Sequence, residues 1–177
     1  EKYMEILLMP LSFLLPLIVH VLAGQVCVIT GIVTFSVPKR PRRHPRWGKR
    51  YLWAYTLVFL TASILSFQRW SLDAYLFFIA LVGYGLALGG YAVRRYRGET
   101  WVVQSLGPNW VIAHILGMIG SYIVLLTGFD VDNAHLLPLL NQLPSITFWV
   151  LPTLIGIPFI ILSISHYAPK TNVPQGL

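Results

Sequence analysis

Carboxylates are scarce in this chain. Asp and Glu together number six among 177 residues, against thirteen Lys and Arg, and charged residues of both signs make up only 11%. A soluble domain carries about 25% charged and about 45–50% apolar residues, so a chain that is 56% hydrophobic falls outside that class. Cysteine is rarer still, with Cys27 alone inside an apolar run. That excludes an internal disulfide, a Cys-x-x-Cys redox pair and the Cys-x-x-Cys-His attachment site of a c-type haem. No repeat of fixed period is visible.

What the chain has instead is length of apolar sequence, with a mean hydropathy of +0.68. About 20 apolar residues at 1.5 Å rise cross a hydrocarbon core roughly 30 Å thick. Five stretches reach this length, Leu7 to Val37, Tyr51 to Phe67, Ala74 to Val93, Asn109 to Phe129 and Ile146 to His166. The expectation is an all-α, polytopic transmembrane bundle of about five spans in a single domain covering residues 1–177. Pro10 and Pro16 should break or tilt the start of the first span. That first run is too long for a signal-peptide core and has no small-residue cleavage site after it, so it reads as a retained span.

The cations orient the bundle. Lys39, Arg40, Arg42, Arg43, Arg46, Lys49 and Arg50 crowd the first connector, and Arg94, Arg95 and Arg97 the second. Positive loops shorter than about 60 residues stay on the cytoplasmic side, so both connectors face one compartment with two spans between them. The first span then starts outside and the C-terminus lies inside. A net charge of +7 would suggest nucleic acid in a soluble protein, but here ten of the thirteen cations are explained by topology. Anionic lipid headgroups are the expected partners of these loops, and nucleic acid is not. Six tryptophans, Trp47, Trp53, Trp101 and Trp110 inside and Trp70 and Trp149 outside, fit the aromatic belts of the two interfaces. Residues 98–107 are mildly amphipathic, and the external connector 130–145 has the length of a lid.

Five histidines are the main chemical signal. His20 heads a column of small residues on the first span, Gly24, Cys27 and Gly31, at offsets that return to one helix face. His114 heads a similar column on the fourth, with Gly117, Met118, Ser121, Leu125 and Gly128. Such columns serve close helix packing, or they seat a flat cofactor whose metal the imidazole ligates. His20 lies about 15 residues, roughly 22 Å, above the inner face, whereas His114 lies about 5 residues, roughly 8 Å, above it. Those depths prevent the two from sharing one haem. An inner cluster of His44, His114 and His166 and an outer pair of His20 and His135 are the remaining cofactor sets. The inner trio also has the ligand number of an open zinc site, with Glu99 the only acid on that side. His44 in its basic turn and His166 beside Tyr167 have a plainer role open to them, as interfacial anchors. Gly85 to Gly89 has the small-xxx-small spacing of a helix-packing face. Asp130 to Asn133 resembles the start of a calcium loop, but lacks its glycine and distant glutamate, which leaves a helix-capping turn.

Two motifs together resemble a known family. They are His20-Val-Leu-Ala-Gly24 followed by Gly31, and His44-Pro-Arg-Trp-Gly48-Lys-Arg-Tyr51 opening the next span. The chain resembles a large family of predicted bacterial membrane proteins catalogued as a domain of unknown function. The resemblance covers most of the first four spans. It implies a small helical bundle with recurring histidines in the bacterial inner (plasma) membrane, similar in outline to small di-haem cytochromes. Three functions remain open on the sequence. One is an accessory subunit packing in a larger membrane complex, possible partners being electron-transfer subunits. Another is a b-type haem electron carrier, and the third a zinc-dependent membrane hydrolase.

The topology has a direct test. With Cys27 replaced by alanine, Arg42→Cys and Arg97→Cys are each expected to react with a membrane-impermeant thiol reagent only after the cytoplasmic side is opened. Labelling of the two positions from opposite sides would overturn the span count.

Overall fold

The structure is a computed structural model and describes residues 10–97, 99, 104–133 and 142–168. Among these are five helices long and apolar enough to cross a membrane: α1 (Leu11–Ser36), α2 (Arg43–Gln68), α3 (Trp70–Arg95), α4 (Trp110–Asn133) and α5 (Ile146–Tyr167). The protein is therefore an all-α, multi-pass membrane bundle. His135 and most of the external connector lie outside the described residues, as does Trp101.

Helix ends depart from the hydropathy pattern where polar residues continue a helix beyond the apolar core. The second helix starts at Arg43, eight residues before Tyr51, so the basic turn is helical and carries His44 in its first turn. Arg42 has φ 75°, a left-handed conformation unusual for a residue with a side chain, and turns the chain from α1 into α2. On the outer side a single residue, Arg69, joins α2 to α3, and its guanidinium meets Asp73 at 3.5 Å. Residues 130–133 form the last turn of α4, where Asn133 Nδ2 donates to the Phe129 carbonyl at 3.0 Å.

Pro10 marks the start of α1, but Pro16 stays inside it. A proline has no N–H for the carbonyl four residues back, and a bilayer supplies no water to replace it. The orphaned acceptor is the Ser12 carbonyl, and Gln68 Nε2 reaches across from the end of α2 to donate to it at 3.1 Å. Thr30, Thr34 and Thr61 are buried, and each hydroxyl donates to the carbonyl four residues back on its own helix. Among the described residues no buried side-chain nitrogen or oxygen lacks a hydrogen-bond partner.

Sequential helices pack on one another, and α4 closes the bundle by returning to α2 and α1. The tightest seam joins α3 and α4. A Cβ on Gly117 would lie 2.7 Å from the Gly90 Cα and 2.8 Å from the Leu86 carbonyl oxygen, so only backbone fits between them. The packing face of α3 is thus Gly83, Ala87 and Gly90. The expected Gly85 to Gly89 face is wrong, since a Cβ at either end glycine meets nothing within 4 Å. Both have the required spacing, and spacing alone does not say which stripe faces a neighbour. Helix α5 is peripheral, docking on α4 where Gly156 admits Ile123.

Lys39, His44 and Lys49 from the first basic connector line the same inner cavity as Arg94, Arg95 and Arg97 from the second. Both connectors therefore leave the bundle at one end, the end that the charge rule assigns to the cytoplasm. Gly117→Ala should destabilise the bundle by about 1–3 kcal/mol, the usual cost of overpacking a close contact. Gly24→Ala, where a Cβ meets nothing within 4 Å, should not destabilise it. Thermal unfolding in mild detergent, followed by circular dichroism, distinguishes the two.

Candidate functional site

The bundle opens at its basic end into a cavity of about 530 Å³ between α1, α2, α3 and α4, bordered by the end of α5. Its size falls within the range of about 300–1,000 Å³ typical of small-molecule and cofactor sites. Two histidines, His44 and His114, line it.

Their placement follows from a register between α2 and α4. Both helices start at the basic end and run parallel. Tyr51 on α2 meets Ser121 on α4 at 2.9 Å, 70 residues apart in sequence. His44 precedes Tyr51 by the same two helical turns that separate His114 from Ser121, so the imidazoles form the next layer toward the cytoplasm. The ring centres of His44 and His114 are 6.3 Å apart, with the planes at 84°.

Each imidazole is held through Nδ1 by a backbone carbonyl. The Thr34 oxygen lies 3.1 Å from His44 Nδ1, among the last carbonyls of α1 that no helical N–H satisfies. For His114 the acceptor is the Gly90 oxygen at 2.7 Å, which no side chain at Gly90 or Gly117 shields. A carbonyl only accepts, so both Nδ1 atoms carry a proton, and in the neutral ring the lone pair is then on Nε2. Neither Nε2 hydrogen-bonds another described residue. A carbonyl behind Nδ1 is the usual support of a metal-ligating imidazole.

The rest of the lining is of two kinds. Phe35, Ile115, Met118 and Ile119 supply apolar wall, while Lys39, Lys49, Arg94, Arg95 and Arg97 supply positive charge. Among the described residues no carboxylate lines the cavity. Lys39 Nζ donates to the Thr34 and Phe35 carbonyls at 3.2 and 2.8 Å, capping α1, and desolvation lowers its ammonium from the ordinary value. Arg97 lies over the Trp110 ring at 5.0 Å, and Arg95 pairs with Glu99 at 3.2 Å.

Other histidines lie elsewhere. His166 is exposed with its ring edge against Tyr167, so the inner set is a pair and not a trio. Among the described residues no three His, Cys, Asp or Glu gather to hold a metal. His20 lies in the outer half of the bundle, where Nδ1 lies 3.0 Å from Thr61 Oγ1, which itself donates to Leu57. Protein fills part of each column of small residues: Gly31 lies beneath the Tyr122 ring, and Gly117 lies against the α3 backbone, whereas a Cβ at Gly24 would meet nothing within 4 Å.

Sequence reasoning missed the polar layer beneath the cavity. Ser121 Oγ donates to Met118 O at 2.8 Å, so it accepts from Tyr51, while Tyr55 donates to the Ser121 carbonyl at 3.1 Å. Tyr51 and Tyr55 are both 1% exposed, which makes this layer the rigid floor on which the imidazole pair rests. The spacing of four between the two tyrosines was the available signal.

No family model, curated protein or solved structure matches the chain.

Removing the acceptor should cost more than removing the donor. Ser121→Ala leaves the Tyr51 hydroxyl buried and unpaired, an expected loss of about 1–3 kcal/mol, whereas Tyr51→Phe should lose about 0.5–1.5 kcal/mol. In the double variant the losses should sum to less than the two singles, as measured by a double-mutant cycle in detergent.

Proposed function

We propose that this protein is a membrane electron carrier of b-type haem, which His44 and His114 would hold at the basic end of the bundle. One observation carries the reading: two imidazoles, each held through Nδ1 by a backbone carbonyl, line one cavity at a ring separation of 6.3 Å. A metal–imidazole bond is about 2 Å and a ring nitrogen sits about 1 Å from its ring centre, so two imidazoles on opposite sides of one metal have centres about 6 Å apart. The separation of the two rings is therefore compatible with a pair that would hold one haem iron.

The surrounding residues fit the remainder of the group. Apolar side chains at Phe35, Ile115, Met118 and Ile119 suit a macrocycle, and the carboxylate-free set of Lys39, Lys49 and Arg94 suits its propionates. Haem supplies one-electron chemistry when bound. The carbonyls of Thr34 and Gly90 keep the imidazoles in the ligating tautomer, and the rigid Tyr51–Ser121 layer keeps their spacing. A quinone or a partner subunit is the fitting exchange partner for electrons, and the bacterial inner membrane the fitting location. The histidine motifs are what the resemblance to that family of unknown function rests on.

A second reading, an accessory subunit in a larger complex, is supported by α5. It docks mainly on α4 and leaves Leu154, Phe159, Ile161 and Leu162 each at least 60% exposed. Co-purification in mild detergent bears on that reading separately. A zinc hydrolase has the weakest support, because His166 stands apart and Glu99 is held by Arg95.

The purified protein, expressed with added haem precursor, should show a Soret band that shifts on dithionite reduction. His44→Ala and His114→Ala should each abolish that spectrum, while His166→Ala and His20→Ala should keep it. Absence of the band, or its survival in both cavity variants, would refute haem ligation at this pair.

A further inference from the structure

A second cavity lies on the lipid-facing side of the bundle, in the groove between α1 and α2, and encloses about 510 Å³. Its floor is made of Ala23 and Ala54, both buried, and its sides of Leu22, Val26, Trp53 and Leu57, all half exposed or nearly so. The small floor residues come from one face of each helix. Val19, Ala23, Val26 and Thr30 follow at helical offsets on α1, and Arg50, Ala54 and Leu57 do so on α2. Thr30 adds no polarity to the groove, because its hydroxyl is turned back to the Val26 and Cys27 carbonyls.

The groove has a polar head at one end only. Arg50 is exposed at the basic end, its guanidinium 4.4 Å from the Trp47 ring centre, and no described carboxylate forms an ion pair with it. A guanidinium stacked on an indole keeps its edge N–H groups free for a planar or tetrahedral anion. Trp53 stands one turn away at 71% exposure, placed as an amphipathic ring at the headgroup level. From Thr30 to Val19 the groove runs 11 residues along α1, roughly 16 Å, which matches half of a hydrocarbon core about 30 Å thick. It is one leaflet long.

We propose that this groove is a binding site for one anionic phospholipid of the cytoplasmic leaflet, with the phosphate on Arg50 and one acyl chain on Ala23 and Ala54. Charge complementarity selects the headgroup, and the groove length selects a single chain. A second copy of this protein is a poor occupant. It would bring its own seven-cation connector, residues 39–50, against the first.

The test uses the full chain in nanodiscs of phosphatidylglycerol and phosphatidylcholine with identical acyl chains, followed by native mass spectrometry after gentle release. One phosphatidylglycerol should remain bound per protein, favoured over phosphatidylcholine by about fivefold, the weight of one cation at the membrane surface. Arg50→Gln should remove that preference, and Val26→Trp, which fills the groove from an exposed position, should lower retention of both lipids. Arg46→Gln, a cation of the same connector that does not line the groove, should leave the preference intact. Equal retention of the two lipids would overturn the site. So would a loss with Arg46→Gln as large as with Arg50→Gln, which indicates diffuse attraction, or a dimer with no retained lipid.

Discussion

Everything at the cytoplasmic end depends on backbone-to-backbone approach of α3 and α4 at Gly90 and Gly117. A helix pair in lipid gains nothing from hiding apolar side chains, because the tails around it are equally apolar. Close contact and satisfied polar groups have to hold it instead. With no side chain at either glycine, α4 comes near enough for His114 to reach the Gly90 carbonyl. The same approach brings Ser121 within reach of two tyrosines from α2. One steric fact thus aligns the imidazole layer and the hydroxyl layer beneath it.

The bilayer imposes a second requirement, that no buried backbone or side-chain polar atom be left over. The bundle meets it locally where it can. Buried threonines turn back on their own helices, and Lys39 closes the end of α1. Where a local solution is impossible the acceptor becomes a tether between elements. Pro16 cannot donate to Ser12, so Gln68 does, which ties the outer end of α2 to α1. The free carbonyl of Thr34 ties His44 to α1 in the same way at the other end. The end of α1 and the placement of the His44 imidazole are thus one problem.

Charge divides the surface into two regions that act differently. Inside the basic mouth, cations surround two imidazoles, and no carboxylate of the described residues lines the space. On the lipid side, Arg50 stands at the head of a groove that is otherwise apolar. One connector dense in cations thus contributes to both regions, on two sides of the same helix.

Hydropathy determined the span count, and the placement of arginines put both basic connectors at one end of the bundle, because both depend on transfer energies that add along the chain. They also separated His20 from His114, since depth follows from rise per residue. The start of α2 was hidden: residues 43–50 are too polar for a hydropathy window, although they continue the helix and carry His44. Which glycine stripe on α3 packs, Gly83 to Gly90 or Gly85 to Gly89, has no signature in a single sequence, because both stripes have helical spacing. Whether His166 joins the inner pair depended on where α5 docks. The 70-residue register that sets Tyr51 on Ser121 and His44 opposite His114 arises only when α2 and α4 pack side by side. Secondary structure and topology were local or additive and so were written in the residues. The site is a relation between two helices distant in sequence, and only their packing decided it.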